Sequence, residues 1–284
     1  MRLILKHALK LLLTLFLGGL FAATLVRFAP GFGVDEEQLD IRLNNQSIEA
    51  LTHQPQQTLG AFYFHYCKRL LHGDFGVSRT LQRPVAELVA ERLPQTIKFV
   101  ALGLTLAWTL GLSLACITVL ARSSALDTLA GLLCGALLCM PAAVLALLFV
   151  LGRAPERLLL GVVVFPKIYS YSRSLLLRSF NRPHVLTARA KGLGNARVLL
   201  SHVLWPAAPQ LLAVAGVSAS LAFTAAIPVE AICDLPGVGQ LAWKAALGRD
   251  LYLLVTLSVL VTAVTLIANS ACELLGNIFS ARTA

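Results

Sequence analysis

Residues Phe99 to Ala121 read FVALGLTLAWTLGLSLACITVLA, without one Asp, Glu, Lys or Arg. The hydrocarbon core of a bilayer, ~30 Å thick, takes about 20 residues of helix to cross, and this run supplies them. Four further runs share its freedom from charge: Leu11 to Val26, Thr128 to Gly152, Val203 to Val229 and Leu251 to Cys272. A sixth, Leu158 to Leu177, is long enough but carries Lys167 and Arg173. The rest of the chain fits the same solvent. Its 284 residues are 57% hydrophobic and 13% charged, where a water-soluble domain has about 25% charge. The sequence therefore predicts an all-α membrane protein with about six transmembrane helices.

The first run follows Arg2, Lys6 and Lys10, as in a secretory signal, but it ends in Arg27-Phe28-Ala29-Pro30 with no small-residue cleavage site, so it reads as a span. Six spans leave both termini on one side. With that side inside, the inner segments hold Arg2, Lys6, Lys10, Arg122, Arg178, Arg182, Arg189, Lys191, Arg197 and Arg282; the short outer ones hold Arg153, Arg157, Lys244 and Arg249. This excess places the N- and C-termini in the cytoplasm. The formal net charge of +10 is spread over both faces, so it reads as contact with anionic lipid headgroups and not with nucleic acid.

The chain reads as a single membrane domain over 1–284, with two segments that are more than connections. A large extracytoplasmic insertion over 29–95 follows the first span. Within it, residues 29–57 are an irregular polar loop, Leu59 to Leu71 suits an interfacial helix, and Pro84 to Leu93 is a short amphipathic helix leading into the second span. On the inner side, residues 179–204 form a structured loop. A membrane helix ends near Asn181-Arg182-Pro183, and two short helical turns, Thr187 to Lys191 and Ala196 to Leu200, are separated by Gly192-Leu193-Gly194. Two spans need only a few residues to join them, so a loop of about 25 asks for a partner. Small residues Ala188, Ala190 and Gly192 admit a close surface, while Arg189, Lys191 and Arg197 are suited to acidic groups on it. The bland reading is that these are positive-inside charges on a tight turn.

These segments, in order, resemble the inner-membrane permeases of binding-protein-dependent ABC importers, the dipeptide, oligopeptide and nickel branch. The resemblance rests on Thr187-Ala188-Arg189-Ala190-Lys191-Gly192-Leu193 with His202 beyond it, and on Glu230 to Gly239 followed by Arg249-Asp250. Arg27-Phe28-Ala29-Pro30-Gly31, Gly73 to Ser78, Arg83-Pro84-Val85 and Glu91 to Thr96 add to it. It implies that the loop carrying Thr187 to Leu193, Arg197 and His202 is the cytoplasmic element seated in an ATPase. It also implies that Glu230, Asp234, Pro236, Gly237 and Gly239 belong to an outer segment or gate. The implied partners are a second, homologous permease, two cytoplasmic ATPase domains that carry ATP and Mg, and an extracytoplasmic substrate-binding protein. No cofactor is expected on this chain. Peptides are the implied cargo, with nickel or another metal chelate and glutathione as alternatives within the family. The sequence departs from the pattern at Arg178, at Pro183-His184, in the short Arg153 to Arg157 connection, and in having both Pro206 and Pro209 after His202.

Read by themselves, Pro236-Gly237 is a turn signal, and Glu230 and Asp234 are interface carboxylates. Lys167, beside Pro166 in the middle of a span, is the pathway candidate, because charge inside a membrane faces a water-filled cavity or a partner. Snorkelling, or a bond to carbonyls freed by the proline, is the competing structural role. Arg173, nearer the inner end, reads as interfacial. The histidines show no metal-ligand spacing and no metal is assigned. Of six cysteines only Cys67 and Cys233 fall in outer segments, where a disulfide is permitted but nothing in the spacing requires it. The chain lacks the phosphate-binding Gly-x-x-x-x-Gly-Lys-[Ser/Thr] loop, so ATP hydrolysis is expected elsewhere. An ion-coupled secondary transporter, the rival from another class, leans on an intramembrane carboxylate, and the span interiors contain none.

Overall fold

The computed structural model describes residues 13–14, 16–21, 24, 75–78, 80–121 and 123–283. The expected interfacial helix over Leu59 to Leu71, the polar loop over 29–57 and Cys67 lie outside them, as does most of the first expected span. The described chain is helical: α1 Val85–Ala121, α2 Ser124–Cys139, α3 Ala142–Leu151, α4 Glu156–Phe180, α5 Pro183–Ala190, α6 Asn195–Ile232, α7 Val238–Leu247 and α8 Leu251–Thr283. Apart from one isolated bridge between Val77 and Pro84, no β-pairing occurs among the described residues. Three helices (α1, α6 and most of α8, Tyr252–Phe279) are long and apolar enough to cross a membrane, and the α2–α3 pair makes a fourth candidate.

Several boundaries differ from those read in the sequence. The amphipathic turn expected over Pro84 to Leu93 is continuous with the second span, and α1 runs through Pro94 without a break. The third run, Thr128 to Gly152, is not one straight helix: α2 and α3 meet at 96°. Pro141 explains the bend. It has no N–H to continue the α2 ladder and forces the residue before it out of the helical region, so Met140 is extended at φ −86°, ψ 125°. Pro206 and Pro209, expected to mark the start of the fifth span, lie inside α6.

The chain falls into two compact units, 1–90 with 244–262 and 91–243 with 263–284. In the larger unit, α1 and α4 lie side by side because glycines let them. A Cβ on Gly103 would come 2.8 Å from Leu160 Cβ, one on Gly111 3.0 Å from Ile168 Cγ2, and one on Gly161 2.5 Å from Leu106 Cδ2. Gly103 pairs with Leu160 and Gly111 with Ile168, so the offset is constant and the two helices are parallel. Parallel neighbours begin at the same end, so the bent α2–α3 pair must carry the chain back from the end of α1 to the start of α4. It is a broken crossing and not a re-entrant loop. Gly216 meets Asn269 and Gly276 meets Pro209, which sets α6 antiparallel to α8. Trp108 Nε1 donates to Ser218 Oγ at 3.1 Å and Asn269 Nδ2 to Ser220 Oγ at 2.7 Å, satisfying polar groups between apolar helices.

α4 holds the unit together. Its buried face, Leu159, Leu160, Val164, Ile168, Tyr169, Ser172 and Leu176, packs against α2, α3 and α6. Arg173 makes a two-pronged ion pair with Asp127 in the first turn of α2, where the helix dipole also favours the carboxylate. Ser123 caps the same helix end. The sequence placed Arg173 at the interface without a partner, and the pair answers for its charge.

Candidate functional site

The larger unit carries a candidate at each end. At the end where α4 gives way to α6, α5 is closed by a Schellman turn: Gly192 sits at φ +76°, its N–H donates to Arg189 O at 2.9 Å, and Leu193 N–H reaches Ala188 O at 3.4 Å. Val185 and Ala188 face inward with Val198, Leu199 and Val203. That leaves Leu186, Thr187, Ala190, Lys191, Gly192, Arg197 and Leu200 on the outside. Among the described residues nothing lies within 4 Å of a Cβ at Gly192. Leu186, Leu200 and Trp205 are 61%, 64% and 60% exposed, and the basic Lys191 and Arg197 are exposed on the same segment. Arg189 stacks over the Phe180 ring at 5.3 Å from its centroid, anchoring α5 to the last turn of α4.

The start of α6 is wound as a π-helix over Val198–Leu204. Pro206 offers no N–H to the His202 carbonyl four residues earlier. His184 Nε2 lies 3.0 Å from that oxygen and donates to it. Two of the sequence's departures from the family pattern, the histidine after Pro183 and the displaced proline, are thus one arrangement. Sequence reasoning treated them separately because nothing in the chain order links 184 to 206.

At the opposite end, where α1 begins and α6 ends, the chain folds back after Cys233. Asp234 takes φ +52°, a conformation Asp tolerates, and Leu235 N–H donates to Glu230 O at 3.0 Å. This brings residues 237–239 onto the Glu230 side chain. Gly239 N–H donates to Glu230 Oε2 at 2.6 Å, Val238 N–H donates to Thr96 Oγ1 at 2.8 Å, and the Thr96 hydroxyl also serves the carboxylate. A Cβ on Gly237 would lie 2.2 Å from Glu230 Oε2, and one on Gly239 2.6 Å from Ile227 Cα. Gln240 donates its side-chain amide to Asp234. Glu230 is 1% exposed. Its carboxylate is turned inward to hold the turn, not presented as the interface group that composition suggested. Cys233 is a buried free thiol beside it.

The smaller unit holds a node that sequence reasoning did not single out. Asp250 is fully buried and caps α8: Oδ1 accepts from Leu253 N–H at 3.1 Å, and Oδ2 accepts from Ser78 Oγ at 2.6 Å and Thr80 N–H at 3.3 Å. Ser78 Oγ in turn accepts from Leu81 N–H at 3.1 Å. Ser78, at the end of one motif, and Asp250, of the Arg249-Asp250 motif, are far apart in the chain and meet here.

Lys167 lies halfway along α4 and is partly exposed. Its ammonium rests over the Tyr171 ring at 5.5 Å from the centroid. Among the described residues no group of three or more His, Cys, Asp or Glu is placed to hold a metal.

A helical unit with several apolar crossings, exposed apolar and basic side chains at one end and a pinned turn at the other is the body of a multi-pass membrane protein. The chain belongs to the family of binding-protein-dependent transport system inner membrane components, whose model matches residues 100–284. It is 31% identical to the oligopeptide transport system permease protein OppB of Escherichia coli (strain K12), over 93% of this chain and 92% of that one. It is 28% identical to OppB of Haemophilus influenzae, over 97% and 96%, and 30% identical to a putative peptide transport system permease protein of Brucella abortus (strain 2308), over 64% and 66%. It is thus an inner-membrane permease subunit, and the ATPase activity of such systems sits on separate subunits.

Proposed function

We propose that this chain forms half of the translocation path of a peptide importer and that its 183–205 surface is the seat of a cytoplasmic ATPase. A homologous permease supplies the other half, two ATPase domains supply ATP and Mg, and an extracytoplasmic binding protein delivers the peptide. The observation that carries this reading is the exposure, on the one segment 183–205, of Leu186, Leu200 and Trp205 together with Lys191, Arg197 and an open Gly192. A monomeric surface gains nothing from it, whereas a partner groove with an acidic rim would bury it. The excess of Arg and Lys in these segments supports a cytoplasmic placement of this end and of the C-terminus. The buried anchors beneath the patch make it a rigid handle, so closure of the ATPase pair reaches α4 and α6 as a body.

The test is peptide uptake in vesicles that hold the assembled importer. Asn tolerates positive φ, so Gly192→Asn keeps the turn but places a side chain in the open space. The reading expects loss of peptide-stimulated ATP hydrolysis and uptake, with normal membrane insertion. Uptake by Gly192→Asn at the wild-type rate would contradict it.

A further inference from the structure

Two cations in the interior of α4 are treated in opposite ways. Arg173 is met by the Asp127 carboxylate, whereas Lys167 has the Tyr171 ring and no carboxylate as its partner among the described residues, and after Glu156 no Asp or Glu follows on α4. The α1–α4 register places Lys167 level with Leu110, the midpoint of the charge-free run Phe99 to Ala121. The ends of the 25-residue helix are about 17 and about 20 Å away, beyond the reach of a lysine stem. Snorkelling is therefore closed to it. The carbonyl freed by Pro166 is Val162 O, four residues earlier, whereas the Lys167 ammonium is engaged with the Tyr171 ring, a turn in the other direction.

Lys167 also has company. Ser170, Tyr171, Ser174 and Arg178 follow it at helical spacing, all at least partly exposed, on the face turned away from the packed side of the unit. A stripe of one ammonium, two hydroxyls and a phenol at mid-depth is costly against lipid tails. With Arg173 and Ser172 it lowers the apolarity of α4 below that of the other spans. We infer that this face of α4 is a wall of the aqueous path, and that Lys167 is the cation that meets the carboxylate of the passing solute. Charge complementarity selects that occupant: the stripe offers a positive centre with hydroxyl donors and no anion of its own. Tyr171 holds the ammonium loosely, so the carboxylate is met but not trapped. This rests on the peptide-importer reading above, which supplies a solute with a terminal carboxylate.

Two measurements on the assembled importer in vesicles test it. The first does not depend on the cargo: Ser170→Cys and Ser174→Cys should react with a membrane-impermeant, water-soluble thiol reagent at least about tenfold faster than Leu132→Cys on the apolar face of α2, over the background of the native cysteines. Equal rates would overturn the path wall and indicate burial against lipid or a second subunit. The second compares a peptide bearing a free C-terminal carboxylate with its amide. Lys167→Gln should lower uptake of the acid about tenfold, with Lys167→Arg close to wild type and the amide little changed. Equal loss for acid and amide would overturn the role of Lys167. If the wild-type importer moves neither peptide, the peptide reading fails, and the thiol rates still decide the path wall.

Discussion

The N–H of Gly239 lies 2.6 Å from Oε2 of Glu230, nine residues earlier in the chain. This contact, with Thr96 beside it, fastens the fold-back between α6 and α7 to the start of α1. A carboxylate at 1% exposure is tolerated there because backbone and hydroxyl donors surround it. Glu230→Ala leaves those donors buried and unmatched, which costs about 1–3 kcal/mol per group. The expected result is a lower thermal midpoint in detergent and faster proteolysis after Cys233, with Glu230→Gln intermediate.

Gly237→Ala tests the same contact from the other side. Its methyl would overlap the Glu230 carboxyl at 2.2 Å, and overpacking of this kind costs about 1–3 kcal/mol. The double variant Gly237→Ala with Glu230→Ala should be less destabilised than the two single losses added together, because the overlap disappears. A strictly additive thermal shift would show that the two residues do not press on each other.

Asp250 and Ser78 make the corresponding prediction for the smaller unit. Asp250→Ala removes the cap of α8 and strands Ser78 and Thr80, at a cost of about 1–3 kcal/mol. Ser78→Ala removes two bonds, to Asp250 and from Leu81 N–H, but leaves Asp250 its two backbone donors and so costs less. A double-mutant cycle on unfolding should return a coupling of at least about 0.5 kcal/mol, and zero coupling would contradict the contact.

Arg173→Met strands Asp127, and Asp127→Asn strands Arg173, in a slab where a lone charge costs up to about 3 kcal/mol. Each single variant should lower the thermal midpoint. The exchanged pair, Arg173→Asp with Asp127→Arg, should recover part of the loss, though the Arg then opposes the α2 dipole. No recovery in the exchanged pair would mean that the two side chains act independently.

Much of this architecture was legible because charge is so expensive in a bilayer. The runs Phe99 to Ala121, Val203 to Val229 and Leu251 to Cys272 became α1, α6 and α8, extended at their ends where apolarity fades but hydrogen bonding continues. The bend at Pro141 was not legible from apolarity alone, since Thr128 to Gly152 contains no charge on either side of it; the proline was the available signal. Contacts between distant residues were beyond the sequence altogether. Arg173 is 46 residues from Asp127 and Ser78 is 172 from Asp250, so no local pattern links them. Glu230 was misread for the same reason: the turn that buries it lies downstream. An acid at the end of an apolar run, followed by Pro-Gly-x-Gly, is the pattern that would have pointed inward, because glycine N–H groups accept close approach by a carboxylate. Around Gly192 the exposed Ala190, Lys191 and Arg197 were legible as small and basic residues on one short segment, but the exposed Leu186, Leu200 and Trp205 were not; Ala188, read as part of the open face, is buried, and Arg189, read as suited to an acidic partner, lies over the Phe180 ring.

The most direct measurement of the central claim is a site-specific cross-link from the patch itself. A photoreactive residue at Leu200, 64% exposed beside Lys191 and Arg197, should capture the ATPase subunit in membranes holding the assembled importer, with a yield that changes when ATP is added. The same residue at Leu132, on the apolar face of α2, should capture none. Capture of lipid alone at Leu200, or a yield indifferent to ATP, would contradict the account.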